Sequence, residues 1–215
     1  MLDKTKAKTE SPATSITIAP PNFQSAKIRI VGDAPYVMNK MSSANRRKMM
    51  EKQESGERSK KGQKREPKDF NAVYEGAMHI STKGWHGIPA SSLRSAMISA
   101  CRISGFHMTK AKLCIFVEAD GIDADDGQPL IKIIGNPTRK DMAVKLADGS
   151  TDIIARPFFF DWSADVTVTW DGDIFSASDV VNLLSRAGRQ CGIGAGRPDS
   201  KSSTGMGWGV FHVES

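Results

Sequence analysis

The sequence predicts an α+β fold in which strands and helices follow one another in the order βαββαβ. Three observations predict it: a strand-like alternation at residues 26–31, an amphipathic helical stripe within residues 88–105, and a second strand–helix–strand unit from residue 163 onward. The long gaps between these elements predict insertions within the domain.

The first strand is predicted at residues 26–31, AKIRIV, where Ile28 and Ile30 alternate with two basic residues. Residues 32–35, GDAP, have the composition of a turn, so the strand ends there. Residues 1–24 are rich in Lys, Thr, Ser and Pro, and this composition predicts a flexible N-terminal tail.

The first helix is predicted within residues 88–105, IPASSLRSAMISACRISG. Pro89 restricts its start, and Ser91 or Ser92 is expected to cap it, while Gly105 is expected to end it. Apolar residues recur on one face and predict a helix packed on a core. They are Leu93, Ala96, Met97, Ala100 and Cys101.

Two strands are predicted after this helix, at residues 113–119 (LCIFVEA) and 130–135 (LIKIIG). A third, ADVTVTW at residues 164–170, alternates apolar with polar residues in the manner of a half-buried strand.

A helix at residues 176–188 begins with Ser176 and Asp179 in capping-box spacing and is expected to end at Gly188. A glycine-rich loop follows, and GWGVFHV predicts a last strand. Taken together, the elements match the modified ferredoxin-like (RRM-like) arrangement, with residues 25–215 as a single domain.

Charge is unevenly distributed along the 215 residues. Residues 40–69 contain eleven basic and five acidic side chains, so this insertion accounts for the whole net charge of +6. It contains few apolar residues, and its first part has a helical pattern. Two interpretations stay open: a solvated loop, or an arm that neutralises phosphates.

Several protein classes do not fit the composition. No apolar run approaches the roughly 18 residues of a membrane span, and the N-terminus lacks the apolar core of a secretory signal. Three scattered cysteines favour a reducing cytoplasm, that of a bacterium or a phage-infected host, over a disulfide framework. We expect no cofactor, no metal ion and no membrane partner.

Catalytic motifs are lacking as well. None of the four histidines lies in a nucleophile or metal motif, so no catalytic residue is assigned, although an enzyme stays an alternative. The acidic segment 120–128, DGIDADDGQ, lacks the spacing of an EF-hand and predicts a surface loop.

The glycine-rich loop runs from GIGAG, which begins at Gly192, to GMGWG, which ends at Gly209. It follows a helix and precedes a strand, the reverse of a dinucleotide-binding fingerprint. Arg186, Arg189, Arg197 and Lys201 surround the loop, and they favour nucleic-acid binding there. Alternatively, the first two stabilise the dipole of the preceding helix.

Two of these stretches, IPASSLR and GIGAG…GMGWGVFHV, resemble signatures of the RAMP superfamily of CRISPR effector proteins. More narrowly, they are similar to the backbone subunit that polymerises along guide RNA. This resemblance implies a ferredoxin-like fold, a thumb inserted near the first strand, and copies of the chain assembled in a ribonucleoprotein. The segment 40–69 occupies the thumb-like position.

The family's pattern is not matched everywhere. Ala90 replaces a family glycine, and Asp33 stands near a position at which some members cleave RNA, but the following PYVMN departs from the family sequence. GDAPYVMNK, ARPFFFDW and NLLSRAGRQCGIG resemble, more loosely, small proteins of phages and prophages.

The sequence therefore predicts a protein that binds single-stranded nucleic acid, RNA first and DNA as the alternative. It is expected to assemble as a homo-oligomer, in the form of a helical filament, or within a multi-subunit ribonucleoprotein. Alternatives are a phage single-stranded DNA-binding or annealing protein, a RAMP-type endoribonuclease, and an assembly subunit that contacts an acidic partner. The predicted contact residues are Arg46, Arg47, Lys48, Lys52, Lys60, Lys61, Lys64, Arg65, Ser91, Ser92, Arg94, Arg186, Arg189, Gly192, Gly194, Arg197, Lys201, Gly205 and Gly207.

Overall fold

The computed structural model describes residues 19–56, 67–145, 149–200 and 205–214, and their fold is α+β. The helices within these residues are α1 (Ser43–Ser55), α2 (Phe70–Gly76), α3 (Ala90–Ala100), α4 (Met108–Cys114) and α5 (Ala177–Arg186), which continues into a π-helical turn, Ala187–Cys191. The strands are β1 (Phe23–Gly32), β2 (Tyr36–Val37), β3 (Gly87–Pro89), β4 (Ile115–Val117), β5 (Gly121–Ile122), β6 (Pro129–Lys132), β7 (Thr138–Lys145), β8 (Thr151–Phe159), β9 (Ser163–Asp171) and β10 (Phe211–Val213). Of the predicted tail, residues 1–18 lie outside the described residues, and β1 includes residues 23 and 24.

The largest sheet has four antiparallel strands in the order β10–β1–β9–β4. β1 and β9 lie at its centre, and their register pairs Ile28 with Val166 and Ile30 with Ala164. The alternation at residues 26–31 and 164–170 therefore predicted both central strands. β10 is shorter than the predicted last strand.

One face of this sheet forms the core. Ile30, Val166 and Val168 lie in one buried cluster with Leu93 of α3 and Leu184 of α5, each of them fully buried. The opposite face is polar. There the Arg29 guanidinium lies 3.1 Å from the Asp165 carboxylate and 3.2 Å from that of Glu214. Because strand side chains alternate in direction, β1 and β9 each supply both faces.

α3 confirms the predicted apolar stripe, whose members are all buried. The predicted serine cap is wrong. Pro89 occupies the N-cap position and, among the described residues, no side chain caps the first turn, while Ser91 and Ser92 lie inside the helix. The first amide groups of a helix have no partner within it, so the start of α3 is left open.

The predicted strand at residues 113–119 is wrong in its first part, because α4 continues through Cys114 and only Ile115–Val117 is extended. Ala111 and Cys114 are buried three positions apart, whereas Leu113 is 72% exposed. The segment therefore forms a helix with one buried face, although its apolar run predicts a strand.

α5 confirms the capping box: the Ser176 hydroxyl accepts from the Asp179 amide, and the Asp179 carboxylate accepts from the Ser176 amide. Gly188 does not end the helix. The chain continues in the π-helical turn and leaves it at Gly192, whose φ is 66°. Gly188 instead allows close packing, since a Cβ there would lie 2.2 Å from the carbonyl oxygen of Phe211.

Two further three-stranded sheets, β2–β8–β7 and β3–β6–β5, are built from the insertions. β6 covers part of the predicted strand at residues 130–135, while the long β7–β8 pair and α2 had no predicted counterpart. β2 follows the turn after β1, and β3 leads directly into α3. Each of the two smaller sheets therefore contributes a strand that lies next to the glycine-rich loop.

Candidate functional site

The glycine-rich loop is built from two arms, residues 192–196 and 205–209, which hydrogen-bond to each other. The Ile193 amide donates to the carbonyl of Gly209 at 3.0 Å, and the Met206 amide donates to that of Gly196 at 2.7 Å. The Ala195 amide donates to the carbonyl of Val37 at 3.0 Å, which ties the first arm to β2. The two arms therefore form a fixed wall.

Its glycines serve the packing within this wall. All six have positive φ. Three of them, Gly194, Gly205 and Gly209, also lie close against neighbouring backbone. A Cβ on Gly194 would lie 2.8 Å from the carbonyl oxygen of Val37, and one on Gly209 would lie 1.8 Å from that of Ile193. Close contact between two backbone segments therefore explains why glycine is needed at positions 194 and 209.

A cleft of about 310 Å³ lies between the first arm, α3 and the chain that follows β2. α3 contributes a polar face with the spacing i, i+1, i+4 and i+8, opposite its apolar stripe. That face consists of Ser91, Ser92, Ser95 and Ser99. Of the predicted contact residues, Ser91, Ser92, Gly192, Gly194 and Arg197 all line this cleft.

The open start of α3 and Arg197 give the cleft groups that attract anions. The partial positive charge of a helix N-terminus favours negative ligands. Arg197 is half-buried, and its guanidinium donates to the Gly194 carbonyl at 3.2 Å. Asp199 lies at the cleft too, but its carboxylate accepts from Arg102 at 2.7 Å, so its charge is paired.

The cleft also contains a histidine that sequence reasoning missed. His79 is 7% exposed, lines the cleft, and places Nδ1 2.9 Å from the Asp123 carboxylate. Asp123 in turn lies 2.5 Å from Lys40 Nζ, and Asp123 is only 2% exposed. The expected surface loop at residues 120–128 therefore contains a buried anchor, because two partners satisfy this carboxylate.

This network sets the protonation of its members. Burial lowers the pKa of His79, and the hydrogen bond with Asp123 offsets part of that effect. Burial opposes ionisation of Asp123, but the hydrogen bonds from Lys40, the Asp125 amide and His79 outweigh it and lower the pKa of this carboxyl. At neutral pH, Asp123 is therefore a carboxylate and His79 is neutral.

Basic helix α1 begins beside this network. Its N-cap, Ser42, accepts from the Asn45 amide, and α1 has no buried residue. Arg46 pairs with Asp125 at 2.9 Å, whereas Arg47, Lys48 and Lys52 are exposed. The other predicted contact residues of this insertion lie outside the described residues. These are Lys60, Lys61, Lys64 and Arg65, and Lys201 of the loop lies outside them too.

Three further predicted contact arginines, like Arg46 and Arg47 of α1, do not line the cleft. Arg94 turns toward α4 and β4, where it donates to the Ile115 carbonyl at 2.8 Å and lies over the ring of Phe116. Arg186 lines a separate cavity beside α5. Arg189 lies 3.3 Å from the carboxylate of Asp33. The π-helical turn changes the angular spacing between Arg186 and Arg189, and the two side chains have different neighbours.

Gly205 and Gly207, in the second arm, do not line the cleft either. A Cβ on Gly205 would lie 2.5 Å from the carbonyl oxygen of Arg197, whereas one on Gly207 would meet no atom of the described residues within 4 Å. Asp33, near the position that the family resemblance links to cleavage, lies 2.7 Å from Nδ1 of His212.

Comparison with known proteins leaves the chain without a match: no family model matches it, and neither does any curated protein. Among the described residues, no helix has both the length and the apolar character needed to cross a membrane.

Proposed function

We propose that the chain binds single-stranded nucleic acid and holds the sugar–phosphate backbone in the cleft between α3 and the glycine-rich loop. One observation carries the proposal: the open start of α3, Arg197 and the fixed first arm of the loop line the same cleft. The helix start and Arg197 each suit a phosphate, and the first arm forms the wall that faces them.

The fold that we propose is the modified ferredoxin-like arrangement. The strand order β10–β1–β9–β4 supports it, as do the positions of α3 between β1 and β4 and of α5 between β9 and β10. In this arrangement β2, α1, α2 and β3 form the insertion after the first strand, and β5 to β8 form a second insertion.

α1 extends the basic surface beyond the cleft. Its anchor is the acidic loop: Lys40 and Arg46 pair with Asp123 and Asp125, so these two cations are used to hold the insertion in place. Arg47 and Lys52 are exposed and supply charge for phosphates. This division of roles supports a thumb-like arm that contacts the strand where it leaves the cleft.

Successive copies of the chain would follow one strand head to tail as an open helical filament, the arrangement of a guide-RNA-coating backbone subunit. We assign the protein to the cytoplasm of a bacterium or of a phage-infected cell. The buried free thiols of Cys101, Cys114 and Cys191 suit that reducing compartment.

Arg197→Gln tests the proposal. We expect a 12-nucleotide single strand to bind this variant about tenfold more weakly than the wild type, the effect of losing one charge-assisted hydrogen bond of roughly 1.5 kcal/mol. Fluorescence anisotropy at low salt measures it, with RNA and DNA strands of the same sequence.

Arg189→Gln is the matched control, because Arg189 is 65% exposed and pairs with Asp33 outside the cleft. Its affinity is expected to stay within about twofold of the wild type, since an exposed ion pair contributes little. Equal losses in the two variants, or no loss in Arg197→Gln at an unchanged melting temperature, would contradict the placement of the strand.

RNA cleavage is the second candidate function, because the neutral ring of His79 lines the cleft and offers a base. Incubation with end-labelled RNA in the presence of a chelator distinguishes it from binding alone. Products ending in a 2′,3′-cyclic phosphate, formed by the wild type and not by His79→Ala, would favour cleavage.

A further inference from the structure

His79 is held in one orientation by contacts on both its backbone and its ring. Its carbonyl accepts from the Gly87 amide at 3.0 Å, which fixes it beside β3, and its Nδ1 is held by the Asp123 carboxylate at 2.9 Å. Lys40 holds that carboxylate from the other side, and its own amide donates to the Ala77 carbonyl at 3.1 Å. The ring therefore cannot turn without breaking a buried hydrogen bond.

This orientation determines what the second ring nitrogen offers. Because Asp123 is ionised and only accepts, Nδ1 of the neutral ring carries the hydrogen and donates it. Nε2 then carries a lone pair, and no described residue donates to it. His79 lines the cleft, so a ligand bound there lies beside this ring.

A hydrogen-bond acceptor at this place does not suit a phosphate. Phosphate oxygens accept hydrogen bonds, and the start of α3, its serine hydroxyls and Arg197 are the groups of the cleft that donate to them. The His79 lone pair needs a donor on the ligand instead. In a nucleic-acid backbone the sugar hydroxyl is that donor: ribose has the 2′-hydroxyl beside each phosphate, and deoxyribose lacks it.

We propose that His79 Nε2 accepts a hydrogen bond from the 2′-hydroxyl of a ribose in the cleft, and that the Lys40–Asp123–His79 network is the device by which the protein distinguishes RNA from DNA. This inference rests on the proposed function, because it requires a strand bound in the same cleft. His79 is then a specificity-determining residue, and Asp123 and Lys40 are positioning residues that fix its tautomer.

His79→Asn separates the two roles of the ring. The asparagine amide reaches Asp123 in place of Nδ1–H and keeps the buried carboxylate paired, but it leaves no acceptor at the position of Nε2. We expect the wild type to bind a 12-nucleotide RNA about fivefold more tightly than the same DNA sequence, as one neutral hydrogen bond allows. In His79→Asn, RNA affinity falls to that of DNA while DNA affinity is unchanged.

His86→Asn is the matched control. His86 lies just before β3, packs on Phe159 and does not line the cleft. It is expected to keep the preference for RNA. A second measurement requires no variant: an RNA strand with 2′-O-methyl groups throughout keeps the 2′-oxygen but has no hydrogen to donate there, so the wild type should bind it about fivefold more weakly than unmodified RNA.

The outcomes separate this inference from the proposed function. Equal wild-type affinities for RNA and DNA, or an RNA preference that survives in His79→Asn, would overturn the role of His79 and leave strand binding in the cleft intact. Failure of the wild type to bind either strand at low salt would overturn the proposed function and this inference with it.

Discussion

Individual glycines account for the shape of the cleft wall. The six glycines within residues 192–209 predict a loop of unusual backbone conformation. The sequence alone does not distinguish a glycine needed for packing from one needed only for backbone conformation. The structure makes that distinction. Gly209 has a φ of 67° and lies against the carbonyl of Ile193, whereas Gly207 has a φ of 72° and open space around it.

Alanine substitutions at these two positions are predicted to differ in cost. Gly207→Ala should lower the free energy of unfolding by about 1–2 kcal/mol, the cost of the left-handed conformation alone. Gly209→Ala should lower it by about 3 kcal/mol or more, because the added Cβ also collides with backbone. Chemical denaturation measures both, and equal losses would contradict the packing described for the two arms.

The buried His79–Asp123 pair could not be predicted from the sequence. The two residues lie 44 positions apart. Asp123 sits in an acidic run that resembles a solvated loop, and His79 belongs to no motif. Only the serine face of α3 had a readable signal, since Ser91, Ser95 and Ser99 recur at intervals of four residues opposite the apolar stripe.

At the scale of elements, periodicity predicted the segments whose burial has one clear face. α3, α5, β1 and β9 are of this kind, because each packs one side on the core and leaves the other polar. α4 is short and lies next to β4, so its apolar residues merge into a strand-like run. The π-helical turn depends on packing against β10, which no local pattern in the sequence records.

α1 provides the element-scale prediction. Arg47→Ala with Lys52→Ala removes two exposed positive charges from a helix that has no buried residue. The slope of log affinity against log salt should become shallower by about 1.4, because each phosphate contact on a single strand contributes about 0.7. The melting temperature should not change.

Binding titrations at several salt concentrations measure this slope. Lys83→Ala with Lys112→Ala is the control, since it removes the same charge from exposed positions that do not line the cleft. A slope that is unchanged in the α1 variant, or that changes equally in the control, would mean that α1 does not contact the strand.

At the scale of the whole molecule, the cleft results from the order of the chain through the sheets. Tyr36 follows β1, His79 precedes β3, the serine face lies on α3, and the first arm of the loop leaves α5. The sequence predicted the central strands, and Ser91, Ser92 and Arg197 are among its candidate contact residues that line the cleft. It could not predict that β3 and β2 would bring His79 and Tyr36 to the same place, because those contacts depend on the insertions.

The most direct test of the central claim is to locate the bound strand on the protein. Ultraviolet crosslinking of 4-thiouridine-substituted single-stranded RNA to the full chain, followed by mass spectrometry of the peptides, gives that location. We predict crosslinks within residues 36–39, 89–99 or 192–199, which line the cleft. Crosslinks confined to the outer face of the main sheet, around Lys27 and Arg29, would contradict the account.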